Sequence, residues 1–182
     1  MRFTETALVG AFLVDLEPRE DERGFFARAW CEQEFADHGL DTRVSQCNLA
    51  FNAKAGTLRG MHYQAPPHAE VKVVRCTSGA VYDVIIDLRP ESPSYMRWIG
   101  VELSAGNRRA VYVPEGFAHG YQTLVDDSET YYQVSAPYAP AAERGVRWDD
   151  PAFGIDWPDA GERVISSKDQ VWPDYRPGSE LR

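Results

Sequence analysis

The run Val71-Lys72-Val73-Val74-Arg75-Cys76, the break Thr77-Ser78-Gly79 and the run Ala80-Val81-Tyr82-Asp83-Val84-Ile85-Ile86-Asp87-Leu88 decide the fold. β-branched residues dominate both runs, and the small polar residues between them suit a tight turn. Two such runs joined this closely read as antiparallel strands. The loop Arg89 to Ser94 leads to a third strand, Tyr95 to Leu103, and Ala110 to Val113 and Glu129 to Val134 continue the series. Strands at this spacing, with little helical periodicity, indicate an all-β sandwich or barrel and not alternating βαβ units.

Working outward, residues 7–16 read as one or two strands, ended by the charged turn Glu17 to Gly24, and Phe25 to Trp30 alternates as another. The apolar stretch Ala7 to Val14 is too hydrophobic to stand as a free sheet edge. The segment Cys31 to His38 is the one convincing helix, closed by Gly39 just past its C-cap. From Tyr138 onward proline and glycine recur, which predicts a loop-rich tail with one or two helical turns. No repeat or linker interrupts the 182 residues, so residues 1–182 are expected to form one domain, an all-β jelly-roll barrel with a short helix.

Charge narrows the partners. Asp and Glu number 28 against 19 Lys and Arg, a formal net charge of −9, which disfavours nucleic-acid backbones. A single phosphorylated ligand remains compatible if a few arginines converge. The three cysteines, Cys31, Cys47 and Cys76, lack metal-type spacing, and an odd number is a poor disulfide framework. The N-terminus has no signal-peptide core, and no apolar run approaches the roughly 20 residues that cross a bilayer. A soluble cytoplasmic protein without membrane partners is expected.

Two segments carry the chemistry: Gly56-Thr57-Leu58-Arg59-Gly60-Met61-His62-Tyr63-Gln64 and Pro114-Glu115-Gly116-Phe117-Ala118-His119-Gly120. Each is expected to deliver a histidine just after a glycine-containing turn. The second resembles the second motif of the cupins, a family of small β-barrels. Metal cupins carry a second histidine and a glutamate in their first motif; here the place is His62-Tyr63-Gln64, so His62 and His119 fall short of the three or four ligands a first-row metal requires. No metal and no cofactor are expected. Lys72, flanked by valines, is expected to face inward. Two histidines, an inward lysine and an arginine suit removal of a proton from carbon beside a ketone. That chemistry requires an oriented base, a cation at the developing oxyanion and, for inversion, an acid across the substrate. Asp83 and Asp169 can each orient His62, and Tyr132 can serve as the acid; spacing leaves the choice of aspartate open.

The ordered set Leu58-Arg59-Gly60-Met61-His62-Tyr63-Gln64, Lys72-Val73-Val74-Arg75, Gly79 to Arg89, Pro114 to Gly120, Tyr138-Ala139-Pro140, Arg144 to Pro151 and Ser167-Lys168-Asp169 resembles one family throughout, the dTDP-4-dehydrorhamnose 3,5-epimerases. The resemblance runs from about Arg23 to about Asp169. It implies a metal-free cupin-fold epimerase, homodimeric with exchanged N-terminal strands, acting on a nucleoside-diphosphate 4-keto-6-deoxy sugar. It assigns His62 as base, Asp169 as its orienting carboxylate, Tyr132 as opposite-face acid, Lys72 as enolate stabiliser and His119 to the sugar pocket. Arg23 and Arg59 would hold the diphosphate, Gln46 and Asn48 would lie near the nucleoside and Tyr138 would stack on the base. Glu143 and Lys168 fall at ligand-contact positions. Three features depart from the family pattern. Arg28 stands where a glutamate is usual at the nucleotide end, Glu70 where a glutamine is usual, and the segment from Gln46 to Arg59 is one residue longer. A single-centre epimerase, one for a CDP- or GDP-sugar and a non-catalytic sugar-nucleotide binder are the alternatives.

Overall fold

The computed structural model describes residues 1–178. Two antiparallel sheets face each other. The first contains β1 (Arg2–Glu5), β2 (Phe12–Asp15), β5 (Gln46–Asn52), β7 (Lys72–Ser78), β10 (Ala110–Val113) and β12 (Ser128–Val134), in the order β1-β2-β10-β7-β12-β5. The second contains β6 (Thr57–Gln64), β8 (Ala80–Asp87), β9 (Trp98–Ser104), β11 (Phe117–Thr123) and β13 (Glu143–Gly145), in the order β13-β6-β11-β8-β9. A two-residue strand, β14 (Val164–Ile165), adds in parallel to β6. A separate hairpin pairs β3 (Arg19–Asp21) with β4 (Gly24–Phe26).

The central core lies between the sheets, where Val74, Cys76, Val111 and Val113 of the first meet Val81, Ile85, Leu103 and Phe117 of the second. Each sheet also covers its outer face. Helix α1 (Glu32–Asp37) lays Phe35 on the first sheet near Val14, Val71 and Tyr112. Val146, Phe153, Trp157 and Tyr175 from the C-terminal segment cover the second, against Met61, Val84 and Ile86. Burial on both faces explains why β8 reads as a nearly continuous apolar run. Val81 and Ile85 point inward and Val84 and Ile86 outward, so alternation puts Asp83 inside.

The all-β architecture and the helix match the sequence reading, with Cys31 and His38 as the helix caps and Gly39 at φ +70° after it. Four details differ. The stretch Ala7 to Val14 is a turn followed by β2, and its Leu8, Ala11 and Val14 are buried in the chain's own core. Because β1 and β10 flank β2, the apolar stretch never becomes a free edge. The strand expected over Phe25 to Trp30 stops at Phe26, where its short partner β3 ends. Both histidines lie within strands, on β6 and β11, and not at turns. Finally, the tail contributes β13 and β14 beside its helical turns; these short strands are defined by β6 as a partner, which local pattern cannot reveal.

Candidate active site

Two glycines create the centre of the site. At Gly60, φ is +124°, and an added Cβ would meet Gly120 Cα at 2.5 Å; one on Gly120 would meet Met61 Sδ at 2.6 Å. Only glycines let β6 and β11 cross this closely. The register is irregular here, and it sets His62 opposite His119. Each imidazole then finds a carboxylate from a different part of the chain.

His62 Nε2 lies 2.6 Å from Asp169 Oδ1. Asp169 sits in helix α2 (Ser167–Gln170), whose N-cap Ser166 accepts the Asp169 backbone N–H at 3.1 Å. Its second oxygen accepts the Gly60 N–H at 3.2 Å. Burial pushes the Asp169 carboxyl up, but the His62 contact and these donors together outweigh it and hold the group below its ordinary range. An imidazole donating from Nε2 to an ionised carboxylate keeps its lone pair on Nδ1. His119 Nε2 lies 2.8 Å from Asp83 Oδ2. Asp83 is wholly buried and its Oδ1 has no hydrogen-bond partner among the described residues. Burial pushes the Asp83 carboxyl up against the opposing pull of His119.

Both histidines line one cavity of about 530 Å³ with Lys72, Tyr132, Arg59, Lys168 and Asp169. His62 and His119 come from the second sheet, Lys72 and Tyr132 from the first, so the cavity has a histidine wall and a lysine–tyrosine wall. Lys72 faces inward as expected, on the same strand face as the core residues Val74 and Cys76. Its ammonium pairs with Glu70. Tyr132 packs against the central core. Burial, then the neighbouring Tyr121 and Glu70, push its phenol up while Arg59 pulls it down, so it retains its proton at neutral pH.

Arg59 Nε donates to Asn52 Oδ1 at 2.7 Å, and Asn52 Nδ2 reaches Tyr121 Oη at 3.3 Å. The Arg59 guanidinium has no carboxylate partner among the described residues, whereas Lys72, Lys168 and both histidines do. At the cavity's edge, Lys168 Nζ pairs with Glu143 Oε1 at 2.5 Å and Tyr138 Oη donates to Glu143 Oε2 at 2.7 Å. Burial raises the Glu143 carboxyl, but these two contacts outweigh it and hold the group down. Gln46 Oε1 accepts the Tyr138 N–H at 2.8 Å, and Asn48 stands opposite Tyr132 across the β5–β12 ladder.

Arg23 and Arg28 do not join this cluster. Arg23 is exposed on the β3–β4 hairpin and holds Asp21, while Arg28 reaches Glu34 at 3.0 Å beside the N-terminus. Arg28 instead lines a separate cavity of about 260 Å³ with Met1, Glu17, Arg19, Phe26 and Glu34. Sequence reasoning also missed Tyr121 and Ser166 as cavity residues and Asp83 as the partner of His119. The alternation in β8 signalled that Asp83 faces inward, but not which ring it meets. Among the described residues, no cluster of three or more His, Cys, Asp or Glu side chains is placed to hold a metal ion, and no helix is long and apolar enough to cross a membrane.

Comparison with known proteins bears on this arrangement. The family model for dTDP-4-dehydrorhamnose 3,5-epimerase matches residues 5–176. The dTDP-4-dehydrorhamnose 3,5-epimerase of Sinorhizobium fredii is 44% identical over 160 residues, 87% of this chain and 82% of that one. The crystal structure of the Bacillus anthracis enzyme with TDP and PPi bound superposes with a TM-score of 0.91 at 38% identity, covering 94% of this chain and 98% of that one. A 3'-monoepimerase from Streptomyces bikiniensis, in complex with dTDP-quinovose, superposes with a TM-score of 0.84 at 35% identity, covering 90% of this chain and 83% of that one.

Proposed function

This chain belongs to the dTDP-4-dehydrorhamnose 3,5-epimerase family, and we propose that it inverts C3 and C5 of a dTDP-linked 4-keto-6-deoxy sugar by deprotonation and reprotonation beside the ketone. One observation carries the reading: a carboxylate-backed histidine and a half-buried protonated tyrosine project into one cavity from opposite sheets. Inversion at carbon requires a proton to leave one face and arrive at the other.

In this mechanism His62, oriented by Asp169 through Nε2, takes the carbon-bound proton on Nδ1. The electron pair moves into an enolate whose oxyanion is stabilised by the Lys72 ammonium. Tyr132 returns a proton to the opposite face as the ketone re-forms; His62 then releases its proton to solvent and the phenolate takes one up, restoring both groups for the next cycle. His119 lies beside His62 and holds the sugar. Arg59, a cavity cation with no carboxylate partner among the described residues, takes the diphosphate. Tyr138, Gln46, Asn48, Glu143 and Lys168 form the nucleoside end.

The relative that inverts one centre shares this fold, so inversion at C3 alone is the second reading. Wash-in of deuterium from heavy water, followed by NMR of the sugar nucleotide, separates them. Label at both C3 and C5 is expected; label at C3 alone supports the second reading, and label at neither overturns both.

The active form is a homodimer in the cytoplasm. Supporting observations are the exposed outward face of edge strand β5 (Leu49, Phe51), the 72%-exposed Phe26 on the β3–β4 hairpin, and Arg23 and Arg28 standing apart from their own chain's cavity. A second copy would cover the first and receive the second. The three free cysteines suit a reducing compartment. Light scattering at micromolar concentration is expected to give twice the 20.5 kDa chain mass; the monomer mass overturns the dimer.

A further inference from the structure

Glu70 lies just before β7, two residues from Lys72, and is nearly buried. It is the only hydrogen-bond partner of the Lys72 ammonium among the described residues. Lys72 lines the cavity and Glu70 does not, so the carboxylate stands behind the cation. The other Glu70 oxygen accepts from Gln64 Nε2 at 3.2 Å.

Gln64 cannot turn away. Its Oε1 accepts the Ala139 N–H at 2.6 Å, which fixes the amide orientation, and its Nε2 also faces the His68 and Pro137 carbonyls at 3.0 and 3.2 Å. Glu70 therefore sits between two donors, an ammonium and a fixed amide N–H. A carboxylate offers one oxygen to each. A glutamine of the same shape offers a single acceptor and must abandon one of them. The clamp ties Lys72 on β7 to Gln64, two residues beyond His62 on β6, and through Ala139 to the segment that carries Tyr138.

Resting on the epimerase reading above, we infer that Glu70 is a positioning residue that fixes the Lys72 ammonium against the cavity wall, so that its charge is engaged by the enolate and not by the neutral ketone. A neutral carbonyl competes poorly with a carboxylate for an ammonium, whereas a developing oxyanion competes well. An interaction gained mainly in the transition state appears in kcat and not in KM.

The test compares Glu70→Gln and Glu70→Asp with the wild-type chain, singly and combined with Lys72→Ala, using a dTDP-4-keto-6-deoxy sugar. Glu70→Asp keeps the charge but is one methylene too short to span both donors, and it serves should Glu70→Gln fail to fold. Each single variant is expected to lower kcat by about tenfold or more while KM stays within about twofold. In the Lys72→Ala background the same changes are expected to alter kcat by less than about twofold, because the group they act through is gone. Unchanged kcat, a loss confined to KM, or an equal loss in both backgrounds overturns the assignment. A wild-type chain showing neither turnover nor solvent exchange overturns the epimerase reading instead. The contact is then judged by nitrogen-15 NMR of the lysine ammonium groups: a Lys72 Nζ signal that shifts in Glu70→Gln supports the clamp, and one that does not move refutes it.

Discussion

The two histidine–carboxylate pairs share residue types, face one cavity and sit opposite each other on adjacent strands, yet their environments diverge. The His62 side chain is 32% exposed, and each oxygen of its partner Asp169 has a donor, the ring for one and the Gly60 N–H for the other. The His119 side chain is 11% exposed, and its partner Asp83 has one oxygen with no donor among the described residues. The first carboxyl is therefore held below its ordinary range and the second pushed above it. A base requires access to substrate and a backing carboxylate that its surroundings favour as an anion; the His62 pair meets both conditions, whereas the His119 pair is more enclosed and burial disfavours the Asp83 anion. On the proposed mechanism, the same pair of residue types serves as acid–base device or as wall according to the donors around its carboxylate.

The sharpest way to break this comparison is to remove each ring. His62→Ala is expected to abolish both turnover and solvent exchange, a loss at or beyond the upper end of the roughly 10²–10⁴-fold that a general base contributes. His119→Ala leaves the base in place and is expected to retain exchange, with the larger change in KM. Proton NMR in heavy water measures both. Exchange lost in His119→Ala but retained in His62→Ala would reverse the assignment.

Tyr132→Phe tests the opposite wall. Removing the phenol is expected to lower inversion by about 10²-fold or more while exchange at the His62 face falls far less, since deprotonation precedes the step that Tyr132 serves. Equal losses would transfer the role of acid to another group. Asp169→Asn is expected to cost on the order of 10²-fold in kcat through a misoriented or less basic imidazole, whereas Asp83→Asn is expected to leave kcat within about tenfold.

The sequence made the strands, the helix and the inward lysine legible because each follows from local pattern: alternation, caps, and a charge flanked by valines. Tyr132 is assigned through the family resemblance, since alternation sets it and Tyr131 on opposite faces without saying which faces inward. What stayed hidden depends on partners far along the chain. Whether Asp83 or Asp169 meets His62 rests on a contact between residues 107 positions apart in one case and on the β8–β11 ladder in the other. The glycines at 60 and 120 read as turn residues, yet they act as a crossing point between two strands, which no local rule distinguishes. Arg23 and Arg28 carry the right charge for a phosphate site, but the hairpin and helix around them engage both with neighbouring acids.

The smallest expected effect is on stability, and it has opposite signs at the two carboxylates. Asp169, held below the ordinary carboxylate value of about 3.9, contributes stability that is fully present above that value and is lost as pH falls through the lower folded value. Asp83 is raised, so the folded chain binds its proton more tightly than the unfolded chain does, and stability declines as pH rises from about 4 toward the higher folded value. An asparagine at 83 still offers His119 an acceptor and removes the charge that burial opposes. Asp83→Asn is therefore expected to change stability by no more than about 1 kcal/mol at pH 4 and to gain on the wild type as pH rises toward 7. Asp169→Asn is expected to be less stable than wild type by at least about 1 kcal/mol throughout that range. Thermal melting of the three proteins between pH 4 and pH 7 measures the Asp83 slope and the constant Asp169 offset, the Asp169 slope lying below that range. A wild-type chain that gains on Asp83→Asn as pH rises would mean that Asp83 is ionised and well compensated in the fold, and the contrast between the two pairs would then have to rest on exposure alone.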